Sequence, residues 1–366
     1  MRHFQLKLGT NINNMITRLP GLIDPHVHLR TPGQETKEDF LTGTSAALAG
    51  GFTAVIDMPN NKVPITTIEK LKEKEELAQQ QIVSDIGFHF GTLGDNLSEF
   101  DRILEEGRGV KGLKIYLNQT TGNFLLDKKH LAEIFERWPQ ELPILFHAED
   151  ETFDDVLEVL YMHPRKIHLC HMSTAYELKR VMEAKEKGMN VTCGVTPHHL
   201  FLSEKHFKDY GAFAMMRPPL MPQSDVDFLW EHLRSVDMIE SDHAPHTLAE
   251  KESNNPPNGI PGLETTLPLL LTAVSQNAMT LNDVKRLCYE GPSNRFAISQ
   301  GEDTYVEVDL DEEYVIEQAN LFSKAKWTPF NGWKMKGKIK KTILHGATVF
   351  ENGKIMASSG SGQILS

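Results

Sequence analysis

The spacing of apolar and polar residues alternates between two periods along most of the chain. Short apolar runs rich in β-branched residues, such as Gly51–Met58 and Gly112–Leu117, are typical of buried strands. Longer stretches with helical spacing, such as Thr66–Gln80 and Thr174–Lys187, separate them. Eight such units over Ile23–Glu240 predict a parallel sheet. We expect an α/β fold, a TIM-type (β/α)8 barrel, with a doubly wound open sheet as the alternative.

The pattern changes in the C-terminal part of the chain. Thr304–Leu310 alternates polar and apolar residues, and turns such as Asn331-Gly332 are typical of antiparallel hairpins. The sequence therefore predicts two domains. The barrel spans residues 21–304, and the two termini, 1–20 and 305–366, form a small β satellite domain.

Composition and charge exclude several classes of protein. The chain has 40% hydrophobic and 24% charged residues, which is typical of a globular protein. Its net charge of −12 argues against nucleic-acid and anionic-membrane partners. No apolar run approaches the ~20 residues of a membrane span. Three cysteines form no disulfide framework, and the N-terminus lacks the apolar core of a signal peptide, so we expect a cytoplasmic protein.

Several histidines and one aspartate lie where predicted strands end. His26 and His28 are one residue apart on the first strand, so their side chains point to the same face. The C-terminal strand ends of a β/α barrel form one site, where imidazole and carboxylate groups suit a divalent metal such as zinc. A polar strand end without a metal is the alternative for each residue. The fifth, sixth and eighth strands would add His147, His171 and Asp242.

Lys114 lies inside the fourth predicted strand, between Leu113 and Ile115. Burying a charged amine is costly, and a neutral amine can react with CO₂ to give a carbamate that bridges two metal ions. The alternatives are an ion pair with a buried acid and a side chain that extends to solvent. Beside four strand-end histidines, the bridge is the favoured interpretation.

Asp242 also has two interpretations. A carboxylate beside a metal-bound hydroxide can accept its proton and return that proton to a leaving nitrogen. Alternatively, Ser241-Asp242 caps the N-terminus of a following helical turn.

The motifs at these strand ends resemble those of one family. They are PGLIDPHVHLR, MPN, GLKIYLN, CHMS, SDHAPHT and PGLET, within a similarity that extends from about Leu19 to Phe350. On these residues the chain resembles the dihydroorotases of the amidohydrolase superfamily. It is most similar to the dihydroorotase domain of the animal multifunctional pyrimidine-synthesis protein.

The resemblance implies a reaction and a cofactor. The reaction is the reversible, zinc-dependent cyclisation of N-carbamoyl-L-aspartate to L-dihydroorotate plus water, in de novo pyrimidine (UMP) biosynthesis. Asp242 would shuttle the proton to and from the ring nitrogen. Two zinc ions per subunit would be held by His26, His28 and Asp242 on one side and His147 and His171 on the other, with a carboxylated Lys114 between them.

The substrate also keeps one free carboxylate. Arg30 would bind it, because its planar fork matches carboxylate geometry; an ordinary surface cation is the alternative. Asn60 and His246 match the family's other carboxylate contacts. Four further positions match other substrate-binding positions of the family, in contact with the pyrimidine ring or in the loop that closes over the substrate. They are Pro261, Gly262, Arg217 and Thr120.

One position departs from the animal-type pattern, which has a third zinc held by a cysteine and a strand-seven glutamate. Cys170 is present, but Gly194 occupies the glutamate position. We therefore do not expect a third metal, and Cys170 is interpreted as a small buried residue. His198 and His199 are interpreted as packing residues or as support for the metal ligands.

Two alternative functions remain. Another cyclic amidohydrolase (dihydropyrimidinase, hydantoinase or allantoinase) would share the metal ligands, but Arg30 and Asn60 favour a substrate with a free carboxylate. A non-catalytic homologue that scaffolds aspartate transcarbamoylase would typically lose metal ligands, and all six positions are intact here. We expect a homodimer that binds a small-molecule substrate and associates with aspartate transcarbamoylase.

Overall fold

The structure is a computed structural model that describes residues 16–120 and 124–366. The N-terminal 15 residues, which the sequence assigns to the satellite domain, lie outside this part. Within the described residues the strands form two sheets. The strands are β1 Ile16–Pro20, β2 Leu22–Val27, β3 Phe52–Asp57, β4 Asp85–Gly91, β5 Val110–Tyr116, β6 Ile144–His147, β7 Ile167–Leu169, β8 Val191–Val195, β9 Met238–Ile239, β10 Tyr305–Val315, β11 Lys334–Leu344, β12 Ala347–Glu351 and β13 Lys354–Ile355.

The larger sheet contains β2 to β9, which run parallel and pair in chain order. Val27 in β2 forms a parallel bridge with His243, just after β9, and the His28 N–H donates to the His243 carbonyl at 2.8 Å. These contacts join the first strand to the last. The predicted barrel is therefore confirmed, and the doubly wound open sheet is wrong.

Helices follow the barrel strands, as the alternating pattern predicts. The α-helices are α1 Phe40–Ala49, α2 Ile68–Gln81, α3 Leu97–Phe100, α4 Ile103–Glu106, α5 Leu131–Arg137, α6 Glu151–Met162, α7 Ala175–Glu186, α8 Pro197–Phe201, α9 Phe207–Tyr210, α10 Gln223–Glu231, α11 Leu248–Lys251, α12 Leu263–Ser275, α13 Leu281–Lys285 and α14 Gly291–Phe296. Short 3₁₀ turns occur at Lys128–His130, Glu204–His206, Gly211–Ala214, Leu233–Ser235 and Gln318–Asn320, and Arg286–Glu290 is a π-helical turn.

The barrel strands are apolar because both of their faces are covered. Every residue of β2, β3, β4 and β5 is buried, as expected for a parallel sheet enclosed by helices. Side-chain caps fix where helices begin. Thr174 and Glu177 form a capping box at the start of α7, in which each side chain bonds the other's backbone N–H.

The satellite sheet is antiparallel, with the order β1-β10-β11-β12-β13. Thr17 in β1 pairs with Val308 in β10, so segments from opposite ends of the described chain meet in one sheet. The expected sheet from both termini is confirmed for these strands. It packs on the barrel through α12 and β11, where Thr272 Oγ1 accepts a hydrogen bond from the Lys336 N–H at 3.0 Å.

The sequence also predicts single helices over Leu97–Glu106 and Leu281–Phe296, and both are interrupted in the structure. Leu97–Glu106 forms two short helices, because each turn buries little apolar surface to stabilise a continuous helix. Leu281–Phe296 passes through the π-helical turn before Pro292. Proline lacks an N–H and its ring crowds the preceding turn, which a local widening of the helix accommodates. Among the described residues, no helix is both long and apolar enough to span a bilayer.

Candidate metal centre and substrate pocket

The C-terminal ends of the barrel strands surround one cavity. This is the end at which β/α barrels build their sites. Most of the residues singled out from the sequence line it, namely His26, His28, Arg30, Asn60, Thr120, His147, His171, Arg217 and Asp242.

Three side chains at the junction of the first and last strands form a compact donor group. Nε2 of His26 and Nε2 of His28 lie 3.3 Å and 3.1 Å from Asp242 Oδ1. All three donor atoms lie within 4.8 Å of one another. Ligands bound to one zinc ion at about 2.0–2.1 Å have separations of this order. The group therefore fits a single divalent ion.

The outer nitrogen of each ring faces an oxygen, but only that of His28 is hydrogen-bonded. His28 Nδ1 lies 2.8 Å from Asn60 Oδ1, whereas His26 Nδ1 lies 3.4 Å from Glu240 Oε2 without a hydrogen bond. An oxygen acceptor at the remote nitrogen fixes the tautomer that leaves the other nitrogen free for a metal. Asn60 thus has a structural contact with a predicted ligand in addition to its place in the cavity wall.

The second pair of histidines is equally close. His147 Nδ1 lies 3.0 Å from His171 Nε2, and His147 Nε2 lies 2.9 Å from Glu149 Oε1. The Glu240 carboxylate accepts a hydrogen bond from the His171 backbone N–H. Neither glutamate was predicted from the sequence. For Glu149 a signal existed, since it follows His147 by two residues at a strand end.

Lys114 lies inside the barrel wall with no exposed surface. The solvent-directed alternative for this side chain is therefore wrong. Its ammonium donates to Cys170 Sγ at 3.0 Å, and within residues 16–120 and 124–366 no carboxylate forms an ion pair with it. Its charge contributes to lowering the pKa of both His26 and His147, so Lys114 lies within electrostatic reach of both histidine groups.

Burial and charge set the protonation states of the donors. Burial holds the pKa of His26 and His171 well below 6.5, and the Lys114 charge adds to this effect. Burial alone would raise the pKa of Asp242, but the neighbouring His26 and His28 hold it below its usual value. Neutral imidazoles and an ionised carboxylate are the forms that bind metal, so the donor set fits divalent ions.

The backbone is unusual at three of these positions. Arg30, His171 and Asp242 have φ values of 66°, 41° and 43°. Non-glycine residues rarely adopt this left-handed region, and where they do they cluster at functional sites. The chain turns sharply at these strand ends and directs the side chains into the cavity.

Arg30 is a buried residue at the cavity wall, so its interpretation as an ordinary surface cation is wrong. Its Nε donates to the Pro245 carbonyl at 3.1 Å, and one terminal nitrogen lies 3.3 Å from His246 Nε2. His246 itself packs behind Arg30 and does not line the cavity. The guanidinium is thus held in place on one edge.

The loop after β9 carries Pro261 and Gly262, which were predicted to contact the substrate ring. Both residues are buried but do not line the cavity, and the Gly262 N–H donates to His243 Nδ1 at 3.2 Å. The ring-contact role of Pro261 and Gly262 stays a prediction.

Four residues of the cavity wall were not predicted from the sequence, namely Tyr116, Ala244, Asn258 and Gly259. Tyr116 follows Lys114 by two residues, a spacing that places both on one face of β5.

His198 and His199 are buried and do not line the cavity. His199 Nδ1 lies 2.8 Å from Thr196 Oγ1, and its Nε2 lies 3.1 Å from the Pro218 carbonyl. These contacts agree with a packing role, and they support the segment that carries Arg217.

Glu240 supplies a carboxylate close to the position where Gly194 replaces the expected glutamate. A Cβ atom on Gly194, in β8, would lie 2.6 Å from the carboxyl carbon of Glu240, which directly follows β9. Donor atoms of His26, Cys170 and Glu240 lie within 4.8 Å of one another and can hold a metal ion. Burial raises the pKa of the Cys170 thiol to about 12. The absence of a glutamate at position 194 therefore does not exclude a third site.

Comparison with known proteins agrees with this geometry. The model of the amidohydrolase family matches residues 17–199. Multifunctional protein CAD of Squalus acanthias is 43% identical over 360 residues, which cover 97% of this chain and 16% of that protein. Dihydroorotase of Pyrococcus furiosus is 36% identical over 368 residues, which cover 95% of this chain and 84% of that protein. The chain belongs to the dihydroorotases of the amidohydrolase family.

Two solved structures share the fold of this chain. L-hydantoinase (dihydropyrimidinase) from Arthrobacter aurescens superposes with a TM-score of 0.88 at 24% identity, covering 94% of this chain and 87% of that one. The inactive dihydroorotase-like domain of the Chaetomium thermophilum CAD-like multifunctional protein superposes with a TM-score of 0.81 at 26% identity, covering 95% and 98%. The family resemblance drawn from the strand-end motifs is confirmed.

Proposed function

We propose that this protein is a dihydroorotase that interconverts N-carbamoyl-L-aspartate and L-dihydroorotate. One observation carries the proposal: a metal-type donor group and the buried arginine Arg30 share one cavity. The first suits chemistry at an amide carbonyl, and the second suits the carboxylate that this substrate retains. The chain spans 16% of the Squalus protein, and no other activity of that protein is proposed for it.

The donor atoms support two zinc ions, with His26, His28 and Asp242 at one and His147 and His171 at the other. Carboxylation of Lys114 would supply oxygens between them, and this modification is part of the proposal. When bound, such ions supply Lewis-acid polarisation of the amide carbonyl and of water.

The protein's own side chains bind and orient the substrate, and one of them moves a proton. Arg30 and Asn60 hold the free carboxylate and so fix the ring, which keeps the reacting carbonyl at the histidine end of the cavity. Asp242 Oδ1, beside His26 and His28, accepts the proton of the attacking water and returns it to the ring nitrogen. Cyclisation uses the same groups in reverse.

The test is an assay of dihydroorotate hydrolysis by wild type and Asp242→Asn, with zinc content measured on the same samples. We expect kcat to fall by about 10²–10⁴-fold, the range for loss of general acid–base catalysis. Asp101→Asn, at an exposed ion pair with Arg137, is the matched control. Unchanged turnover in Asp242→Asn would show that the proton-shuttle role is wrong.

Another cyclic amidohydrolase is the second candidate, because hydantoinases share the fold. Arg30→Met separates the two, since a plain hydantoin or dihydropyrimidine has no carboxylate for Arg30 to bind. We expect this variant to lose dihydroorotate turnover chiefly through KM. A wild-type protein that hydrolyses dihydropyrimidine or allantoin and no dihydroorotate would overturn the proposal.

A non-catalytic scaffold is the third candidate, given the similarity to a domain described as inactive. The intact donor groups argue against it. Metal analysis by inductively coupled plasma spectrometry distinguishes the two, because an active enzyme is expected to contain zinc. Purified protein with neither metal nor zinc-restorable turnover would favour the scaffold.

The remaining expectations are part of the same proposal. We expect a barrel domain of residues 21–304 with a satellite domain of residues 1–20 and 305–366. We also expect a homodimer in the cytoplasm that associates with aspartate transcarbamoylase. Sedimentation of the protein alone and with that enzyme measures both associations.

A further inference from the structure

A buried ion pair lies between the first two barrel strands. Lys74 on α2 and Asp57 at the end of β3 have at most 1% of their surface exposed, and Lys74 Nζ lies 2.7 Å from Asp57 Oδ2. Burial lowers the pKa of Lys74, and the Asp57 charge opposes this effect. Removing two charges from water costs about as much as their attraction returns. Stability alone therefore does not account for the pair, and its other contacts become informative.

The aspartate holds the end of the first barrel strand. Asp57 Oδ1 accepts a hydrogen bond from the Leu29 N–H at 2.7 Å. Leu29 lies between His28, a predicted metal ligand, and Arg30, the predicted carboxylate partner. Because Arg30 has a positive φ, its backbone needs support on both sides. This bond fixes the His28–Leu29 peptide, which joins the predicted metal ligand to the residue before Arg30.

The lysine holds the segment after β3. Lys74 Nζ donates to the Met58 carbonyl at 2.9 Å and to Asn61 Oδ1 at 3.0 Å. Lys74 Nζ is therefore hydrogen-bonded to two oxygens of this segment and ion-paired with Asp57. Asn60 lies between Met58 and Asn61, so the lysine holds the chain on both sides of it.

We propose that Lys74 and Asp57 are positioning residues that set the spacing between Arg30 and Asn60 for the substrate carboxylate. The pair joins the two segments that carry them, although neither charge reaches the cavity. A bidentate arginine contact depends on geometry within about 0.5 Å, and a misplacement of about 1 Å can cost on the order of 100-fold. The identity of the ligand rests on the proposed function.

The test compares Lys74→Met with the double variant Asp57→Asn/Lys74→Met. We expect both to raise KM for dihydroorotate by about 10–100-fold with kcat within a few-fold of wild type, because the carboxylate contact is made in ground state and transition state alike. The double variant contains no unpaired buried charge, so it should melt at a higher temperature than Lys74→Met. If Lys74→Met does not fold, KM can still be measured with the double variant.

Lys111→Met is the matched control, because Lys111 is a buried lysine near the other end of the barrel whose Nζ donates to the Ser366 carbonyl. It should affect stability and leave KM unchanged. Unchanged KM in the double variant, or an equal rise in Lys111→Met, would overturn the proposal.

Hydrogen–deuterium exchange gives a readout that needs no substrate. Exchange should accelerate at residues 27–31 and 58–62 in both Lys74 variants, and not in β10 or β11. If wild type does not turn over dihydroorotate, the proposed function fails, while faster exchange at these two segments would still support the positioning role. Unchanged exchange there would contradict it.

Discussion

Glu240 is a buried carboxylate that contacts two of the predicted metal ligands, His26 and His171. One of its oxygens accepts a hydrogen bond from the His171 backbone N–H. The other lies 3.4 Å from His26 Nδ1 and 3.3 Å from His168 Nε2. Burial favours its neutral form, but hydrogen bonding and charge from His168 hold its pKa below the usual value. The carboxylate therefore stays ionised and forms hydrogen bonds with the His171 backbone N–H and the His168 ring.

Replacing this carboxylate should weaken metal binding. In Glu240→Gln, the amide NH₂ facing His26 Nδ1 would favour the tautomer with its proton on Nε2, the nitrogen needed for the metal. We expect zinc affinity to fall by about 10–100-fold, the typical cost of losing such support, measured by competition with a chromophoric chelator. Glu177→Gln, in the capping box of α7, is the control. Wild-type affinity in Glu240→Gln would contradict the role.

Lys114 gives a second prediction at this scale. Lys114→Ala removes the amine that would carry the carbamate, so we expect loss of bound zinc and of turnover. Added short carboxylic acids should restore part of both, because they can place two oxygens in the vacated volume. Metal analysis and turnover with and without propionate provide the measurement. Full zinc occupancy in the variant without added acid would count against the carbamate.

The sequence predicts residues at strand ends better than it predicts their supports. His26, His147 and Asp242 could be found because a barrel brings successive strand ends together. Glu240 and Lys74 could not, since their function depends on which neighbours bury them. Lys74 belongs to a stretch, EKLKEKEEL, whose charge pattern is that of a solvent-exposed helix face, yet it has no exposed surface.

At the scale of elements, α12 is fixed to the satellite domain by a carboxylate in its first turn. Glu264 accepts the N–H groups of Phe322 and Ser323 at 2.8 Å and 3.1 Å. Burial raises its pKa to about 7, and the nearby Glu38 charge contributes to this rise. The loop after β10 is therefore held by a group whose charge changes near neutral pH.

The burial of Glu264 should make stability depend on pH, because it outweighs the two N–H contacts, which lower the pKa of this carboxyl group. Because the folded state raises the pKa of Glu264, its contribution is fully present below about pH 4.5 and is lost as the pH rises through about 7. Relative to Glu264→Gln, wild type should lose free energy of unfolding on the order of 1 kcal/mol per pH unit across this window. Urea unfolding at pH 5, 6, 7 and 8 measures the difference. A difference that is constant over this range would refute the assignment.

Element boundaries followed from the sequence where the helical periodicity is clear. The spacing of Glu151–Met162 predicts a helix with the bounds that the structure has, although no side chain caps its N-terminus. Strand β10 extends to Val315, beyond the predicted Leu310, because Glu313 and Val315 continue to pair with β11. That extension is a consequence of tertiary pairing, which a local pattern does not encode.

At the scale of the whole molecule, bound metal should contribute to stability because its donors come from distant parts of the chain. His26 and Asp242 meet only in the folded barrel, so zinc binds the folded state preferentially. Saturation at 100-fold above Kd corresponds to about 2.7 kcal/mol. For a chain of 366 residues, chelation should therefore lower Tm by about 3–4 °C, measured by differential scanning calorimetry.

The control for this measurement is to add zinc back to the chelated protein. Zinc added after the chelator is removed should return Tm to its starting value, whereas Ca²⁺, which prefers oxygen ligands, should not. A Tm that does not respond to chelation, in protein shown by analysis to have lost its metal, would contradict the coupling.

The satellite sheet also has a consequence for the time course of refolding. Arg18 in β1 and Glu307 in β10 form an ion pair across strands that are 289 residues apart in sequence. Each β/α unit can assemble from neighbours in the chain, but this pairing requires the ends of the described chain to meet, and such non-local contacts form slowly. We therefore expect the barrel units to acquire structure first and the strand pairing of the two ends to be among the last events.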